Sequence, residues 1–240
     1  MIRRKQKIIY LTYDYGRYSE TEYKDFLSNK RVIIVGPAGY LRGQNKGKWI
    51  DSFDVVVRVN HAIPILFPED YGTRTDVLYH IFSHRNIEYA GKKLIDIEEI
   101  DDWVKAGVKW LVSRHGTNSK RFKQVAPLID SKIPWCCIHH SFTGKIDNAI
   151  SGRSPNTGVV VIMHLLSSGI KSLTITGFDL YQSGVYQGYG DISENEDARE
   201  VNDRWHDIES QITYLKRIVM RDKRIHIDTQ FEEVLYGKEI

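Results

Sequence analysis

His206 stands three residues before Glu209 in the run Trp205-His206-Asp207-Ile208-Glu209. An imidazole with a carboxylate one helical turn away suits a general base that works near neutral pH. The same spacing fits an ordinary His–Glu pair on a helix surface. Upstream, Ser154-Pro155-Asn156-Thr157-Gly158 leads into the apolar run VVVIMHLL. Asn156 or Thr157 can cap a helix there, and Gly158 keeps its first turn uncrowded. The free N–H groups and dipole of that start suit an anion, although any well-capped buried helix looks alike.

Two further segments have the makings of a phosphate site. The stretch IIVGPAGYLRGQNKGKW places glycines at 36, 39, 43 and 47 just past an apolar run. Glycines at a strand end let backbone approach a phosphate and offer unpaired N–H groups, or merely turn the chain. Gly36 and Gly39 are three apart, which is not the dinucleotide fingerprint. No Ser or Thr follows Lys48, which excludes a Walker A loop. Arg58-Val59-Asn60 ends the next apolar run with a polar pair. A phosphate role for Arg58 and a pairing with Asp54 or Asp76 explain it equally well.

These residues need a scaffold that brings strand ends together. Residues 32–35, 55–59, 77–80, 108–112, 135–138, 173–176 and 225–227 read as strands, mostly continuous apolar runs covered on both faces. Between them, residues 20–28, 96–106, 119–129, 157–168 and 199–220 read as helices. The alternation predicts an α/β three-layer sandwich with a mostly parallel central sheet, whose ligands sit beyond the carboxyl ends of the strands. In the last helix Val201, Trp205, Ile208, Ile212, Leu215 and Val219 form the expected buried stripe.

Several chemistries are missing. No Asp-x-Asp pair closes a strand to hold a divalent metal, and neither Gly-x-Ser-x-Gly nor His-Glu-x-x-His occurs. Cys136, Cys137, His139 and His140 lack the spacing of a zinc site. The tyrosines at 10, 13, 15, 18 and 23 read as packing and surface residues.

Composition bounds the rest. The 240 residues are 41% hydrophobic and 27% charged, with 18 glycines against 6 prolines, which excludes collagen-like, disordered and disulfide-scaffold chains. One domain over residues 1–240 is expected, with 1–30 as an extension packing on it or leading into it. Lys and Arg number 34 against 31 Asp and Glu, a net charge of +3 that gives little support to a nucleic-acid partner. The two adjacent cysteines fit a reducing compartment. No apolar run reaches the ~20 residues that span a bilayer, and residues 8–11 are too short for a signal-peptide core. A cytoplasmic location is expected, with a basic amino terminus able to touch the anionic inner face of a membrane.

In order, the four segments resemble the eukaryotic-type sialyltransferase family. Residues 32–60 resemble its large sialylmotif: a strand, Val-Gly, Gly-x-Leu-x-Gly, an Ile-Asp-Ser-x-Asp-Val-Val run, then Arg-x-Asn. Residues 155–179 resemble the small sialylmotif, and His206 falls where the very-small motif carries its histidine. The resemblance implies a Rossmann-like, sialyltransferase-type variant of the GT-A fold. It further implies inverting, metal-independent transfer from a CMP-sugar to a glycan or glycolipid, with no cofactor. His206 would be the base and Glu209 its support. Gly36, Ala38, Gly39, Asn60, Asn156, Thr157, Gly158, Gly177 and Phe178 would meet the donor.

The chain also departs from that family. Gly36-Pro37-Ala38-Gly39-Tyr40 stands where the family usually has Gly-Asn-Ser-Gly-Asn, so a phosphate-contacting asparagine is missing. The paired motif cysteines are absent, Val32 holding the first position, which fits a compact bacterial or viral cytosolic relative without an anchor. The very-small motif spaces His and Glu by five rather than three. Tyr186 and Tyr189 are the only stand-ins for the third-motif histidine, as donors to the leaving phosphate. These departures leave open a CMP-Kdo or other nonulosonic acid transferase, and a lapsed nucleotide-sugar-binding module.

Overall fold

Seven short strands lie side by side in the order β5-β4-β3-β2-β1-β6-β7, every pairing parallel. They are β1 (Arg31–Val35), β2 (Val55–Val59), β3 (Val77–His80), β4 (Trp110–Ser113), β5 (Trp135–Cys137), β6 (Ser172–Thr176) and β7 (Ile225–Ile227). The computed structural model describes residues 19–82, 97–116, 119–129, 132–150, 154–189 and 206–237. The basic amino terminus, Val201 and Trp205 lie outside the described residues.

The helices are α1 (Glu20–Leu27), α2 (Gly47–Ile50), α3 (Pro68–Tyr71), α4 (Ile97–Lys105), α5 (Lys120–Ile129), α6 (His140–Ala149), α7 (Thr157–Leu166), α8 (Ile208–Arg221) and α9 (Thr229–Tyr236). Alternate strand residues face opposite layers. Val32, Ile34, Val57, Tyr79, Val112 and Ile175 pack under α1, α6, α7, α8 and α9. On the other face, Leu78, Leu111 and Trp135 pack against α4 and α5, while Ile33, Val35 and Val56 meet Leu41, Ile50, Tyr71, Tyr186 and Tyr189. This is the expected three-layer sandwich.

Helix 199–220 was the expectation for the last long helix, but α8 begins at Ile208. Asp207 caps it, its carboxylate accepting from the N–H of Ser210 at 2.9 Å and from the Ser210 hydroxyl at 2.7 Å. Of the expected stripe, Ile208 and Leu215 are fully buried while Ile212 and Val219 are half-buried. Residues 139–147 read as a loop, whereas α6 starts at His140. Its cap is the His139 side chain, a residue type not read as a helix start. Tyr23 on α1 proves to be a packing residue: its hydroxyl meets that of Tyr79 at 2.7 Å, and Tyr79 reaches Nδ1 of His164 at 2.8 Å.

The strand order reverses between β1 and β6, the switch point beside which open α/β sheets place ligands. Here the two strand ends close on each other. A Cβ on Gly36 would lie 2.1 Å from the carbonyl oxygen of Gly177, and one on Gly177 would lie 2.5 Å from that of Gly36. Gly177 also has a φ of +73°. Gly177→Ala therefore combines a left-handed backbone with a clash against main chain that cannot swing away. We expect a loss of about 2–4 kcal/mol in urea unfolding; an alanine variant as stable as the parent would contradict this packing.

Candidate active site

α7 begins at the carboxyl end of the sheet because Asn156 stops the preceding chain in an extended conformation and turns its own side chain onto the helix. Its Oδ1 accepts from the N–H of Val159 at 3.0 Å, a cap worth about 1 kcal/mol. The N–H groups of Thr157 and Gly158, the two residues that this bond spans, have no acceptor among the described residues. Gly158 is required by Phe178, whose Cε1 would lie 2.5 Å from an added Cβ. Phe178 is itself buried and stacks toward Phe231. Asn156, Thr157, Gly158 and Phe178 thus form one packed unit.

α8 is tied to this unit by a residue that the sequence did not single out. Gln211 is completely buried; its Oε1 accepts from the N–H of Asn156 at 2.8 Å and its Nε2 donates to the Asp207 carbonyl at 3.1 Å. That bridge carries the segment just before α8 onto the turn before α7. As a result His206 lies against residue 154, and its Nδ1 meets the Ser154 carbonyl at 2.6 Å. A carbonyl only accepts, so Nδ1 carries the proton and Nε2 keeps its lone pair. Burial disfavours the imidazolium, the Ser154 carbonyl works the other way, and the Arg114 guanidinium adds repulsion; the net result is a ring held below the ordinary imidazole value.

His206 precedes α8 rather than lying within a helix, so the expected one-turn pairing with Glu209 does not arise from helix geometry. Glu209 sits in the first turn of α8 and is exposed. The partner that orients the ring is main chain.

Arg114 is the second residue missed by sequence reading. It follows β4, and its guanidinium reaches forward to the start of α7: Nη1 donates to Thr157 Oγ1 at 3.1 Å, and Nη2 to Ser154 Oγ at 2.9 Å and to the Pro155 carbonyl. Contacts across some forty residues leave no local pattern in the sequence.

Asn60 ends β2 with a φ of 49°, held by its N–H to the Tyr79 carbonyl at 2.7 Å. Its Oδ1 is buried without a hydrogen-bond partner among the described residues. An amide oxygen kept in that state marks a place where a donor, a ligand hydroxyl or a water, completes the bonding. Arg58, by contrast, takes neither expected carboxylate. It is buried, and its guanidinium donates to the carbonyls of Arg74 and Tyr71 and to the Thr75 hydroxyl. It is a brace inside the sheet's β2–β3 face.

The glycine loop does not offer the unpaired N–H groups expected of it. Gly36 donates to Thr176, Ala38 to Gly177 and Gly39 to Gly184, at 2.9, 3.0 and 3.1 Å, and Pro37 has no N–H. The Tyr40 N–H meets Ser183 Oγ at 3.1 Å. The Tyr40 hydroxyl donates to Asp228 at 2.5 Å and accepts from the N–H of Gly177 at 2.7 Å. Burial beside Asp228 pushes this phenol far up, so it stays a donor. Gly36, Ala38, Gly39 and Gly177 therefore build a wall, closed by main-chain bonds, rather than an open cradle.

Tyr186 and Tyr189 are buried in an aromatic cluster with Tyr71, the Tyr71 and Tyr186 rings 4.7 Å apart. The Tyr189 hydroxyl donates to the Val59 carbonyl at 3.2 Å, beside Asn60. That proton points into the protein, so the expected donation to a leaving phosphate does not fit Tyr189 as it stands.

Next in the chain to Asn60, His61 belongs to a cluster of metal-ligating residue types. His61, His80 and Glu99 are buried with their ligand atoms within 4.8 Å of one another. Nδ1 of His61 meets Glu99 Oε1 at 3.3 Å, and Nδ1 of His80 accepts from the N–H of Phe82 at 2.8 Å. That second bond puts the His80 proton on Nε2 and leaves neither ring nitrogen with a lone pair for a metal.

With this geometry in view, the relatives are informative. A human CMP-N-acetylneuraminate-beta-galactosamide-alpha-2,3-sialyltransferase 1 is 28% identical over 198 residues, 77% of this chain and 55% of the relative. The chain thus spans about half the length of such curated relatives. A crystal structure of a mammalian sialyltransferase shares the fold with a TM-score of 0.58 at 20% identity, covering 89% of this chain and 74% of that one. The monofunctional alpha-2,3-sialyltransferase Cst-I from Campylobacter jejuni superposes with a TM-score of 0.54 at 15% identity, covering 88% and 81%. Because the family model of glycosyltransferase family 29 (sialyltransferase) matches residues 4–222, nearly the whole sheet and both helix starts of the site, the chain belongs to that family.

Proposed function

We propose that this chain transfers a sugar, sialic acid before others, from a CMP-sugar to a hydroxyl of a glycan or glycolipid, with inversion and without a metal. One observation carries the reading. His206, its proton on Nδ1 against the Ser154 carbonyl, presents a basic Nε2 beside an anion-suited helix start. The names of the relatives supply the donor class.

In this mechanism the acceptor hydroxyl gives its proton to His206 Nε2 as its oxygen bonds to the anomeric carbon. The bond from that carbon to the phosphate oxygen breaks on the opposite face, and CMP leaves as the anion. The N–H groups of Thr157 and Gly158, with the Nδ2–H donors of Asn60, receive the growing phosphate charge, the task a metal performs elsewhere. Gly36, Ala38, Gly39 and Gly177 shape the wall beside the nucleotide, over Phe178. With Pro37 and Tyr40 supplying no amide side chain there, the donor is held mainly from the α7 side. That shift of contacts is the reason to compare CMP-sialic acid with CMP-Kdo.

His206→Ala should lower turnover by about 10²–10⁴-fold while CMP still raises the melting temperature. Unchanged turnover removes His206 from the mechanism. In the parent enzyme the base form is lost as pH falls, and the ring is held below the ordinary imidazole value. The acid limb of kcat/KM should therefore lie below about pH 6.5; a limb above it contradicts the assignment. Chelation should change neither turnover nor melting temperature, whereas a loss restored by one divalent ion would overturn the metal-free reading.

A further inference from the structure

Arg114 has a chemistry that stability alone does not explain. Its guanidinium is half-buried, and its three acceptors, Ser154 Oγ, the Pro155 carbonyl and Thr157 Oγ1, are all neutral. No carboxylate lies within ion-pair distance of it among the described residues; Asp147 on α6 acts on it only through space. A cation at a helix start opposes the macrodipole, and withdrawing its charge from water is costly. Yet all three acceptors belong to one turn, residues 154–157, and Ser154 is also the residue whose carbonyl meets His206.

We infer that Arg114 is a positioning residue: by gripping Ser154, Pro155 and Thr157 at once, it aims the Ser154 carbonyl at His206 Nδ1 and so keeps Nε2 as the free base. The inference rests on His206 being the base, but the contact it describes exists without substrate. The fork matters more than the charge. Two nitrogens held in one plane reach three acceptors spread over four residues, whereas a lysine ammonium is a single point that holds one or two of them. Gln211 fixes the same turn from α8 through the N–H of Asn156, but it leaves Ser154 itself untouched.

The test is the tautomer of His206 in the ligand-free protein, read from ring ¹⁵N shifts at neutral pH in the parent, Arg114→Ala and Arg114→Lys. His80 is an internal control, because the Phe82 N–H fixes its tautomer independently of Arg114. The parent should show the proton on Nδ1 of His206. Arg114→Ala should lose that preference, Arg114→Lys should recover only part of it, and His80 should be unchanged in both. Turnover with CMP-sialic acid should fall about 10–100-fold in Arg114→Ala with little change in donor KM. An His206 ring that keeps Nδ1 protonated in Arg114→Ala, with His80 intact, overturns the inference. So does a parent ring protonated on Nε2. Should Arg114→Ala not fold, Arg114→Lys gives the same two readings. A tautomer change in a protein that transfers no sugar would uphold the positioning role and overturn the catalytic reading instead.

Discussion

The 2.6 Å hydrogen bond from His206 Nδ1 to the Ser154 carbonyl joins segments 52 residues apart in the chain. Everything proposed for the site depends on it, because one bond settles both the place and the protonation of the imidazole. It is also supported from several sides. Asp207 starts α8 directly after His206, Gln211 bridges back to Asn156, and Arg114 holds the far side of the same turn. The base and the anion-suited helix start are thus one structural unit, and a shift in either moves both.

A second constraint lies at the switch point of the sheet. Gly36 and Gly177 approach so closely that neither tolerates a side chain, and the N–H groups of Gly36, Ala38 and Gly39 bond to carbonyls of residues 176, 177 and 184. Tyr40 completes the closure through Asp228 and Gly177. Main chain that bonds to itself in this way is a rigid wall but a poor phosphate receptor. The donors left over for an anion are the N–H groups at the start of α7, while the buried Asn60 Oδ1, unbonded among the described residues, awaits a donor instead.

Much of this was legible in the sequence. The apolar runs at β2, β3 and β7 have the bounds read from them, because strands buried on both faces leave continuous Val, Ile and Leu signals. Asn156 was legible as a cap because its chemistry is local. Short elements were not: the α6 run HSFTGKIDNA carries a glycine and β-branched residues, and its cap is an imidazole. α2, α3 and α9 likewise went unread. The site failed where contacts are long-range. Nothing near Arg114 or Gln211 in the chain announces their partners, and the helical phase assumed for His206 and Glu209 was cut off by Asp207. Tyr186 and Tyr189, the stand-ins that the resemblance offered for the third-motif histidine, lie in an aromatic cluster that no local pattern announces.

The most direct test of the account is where CMP binds. Amide chemical-shift mapping during a CMP titration should perturb Asn60 and residues 156–159, with smaller effects at Gly36 and Gly177. Shifts confined instead to the groove of Tyr40, Gln44, Lys46, Trp49 and Phe53 would contradict it.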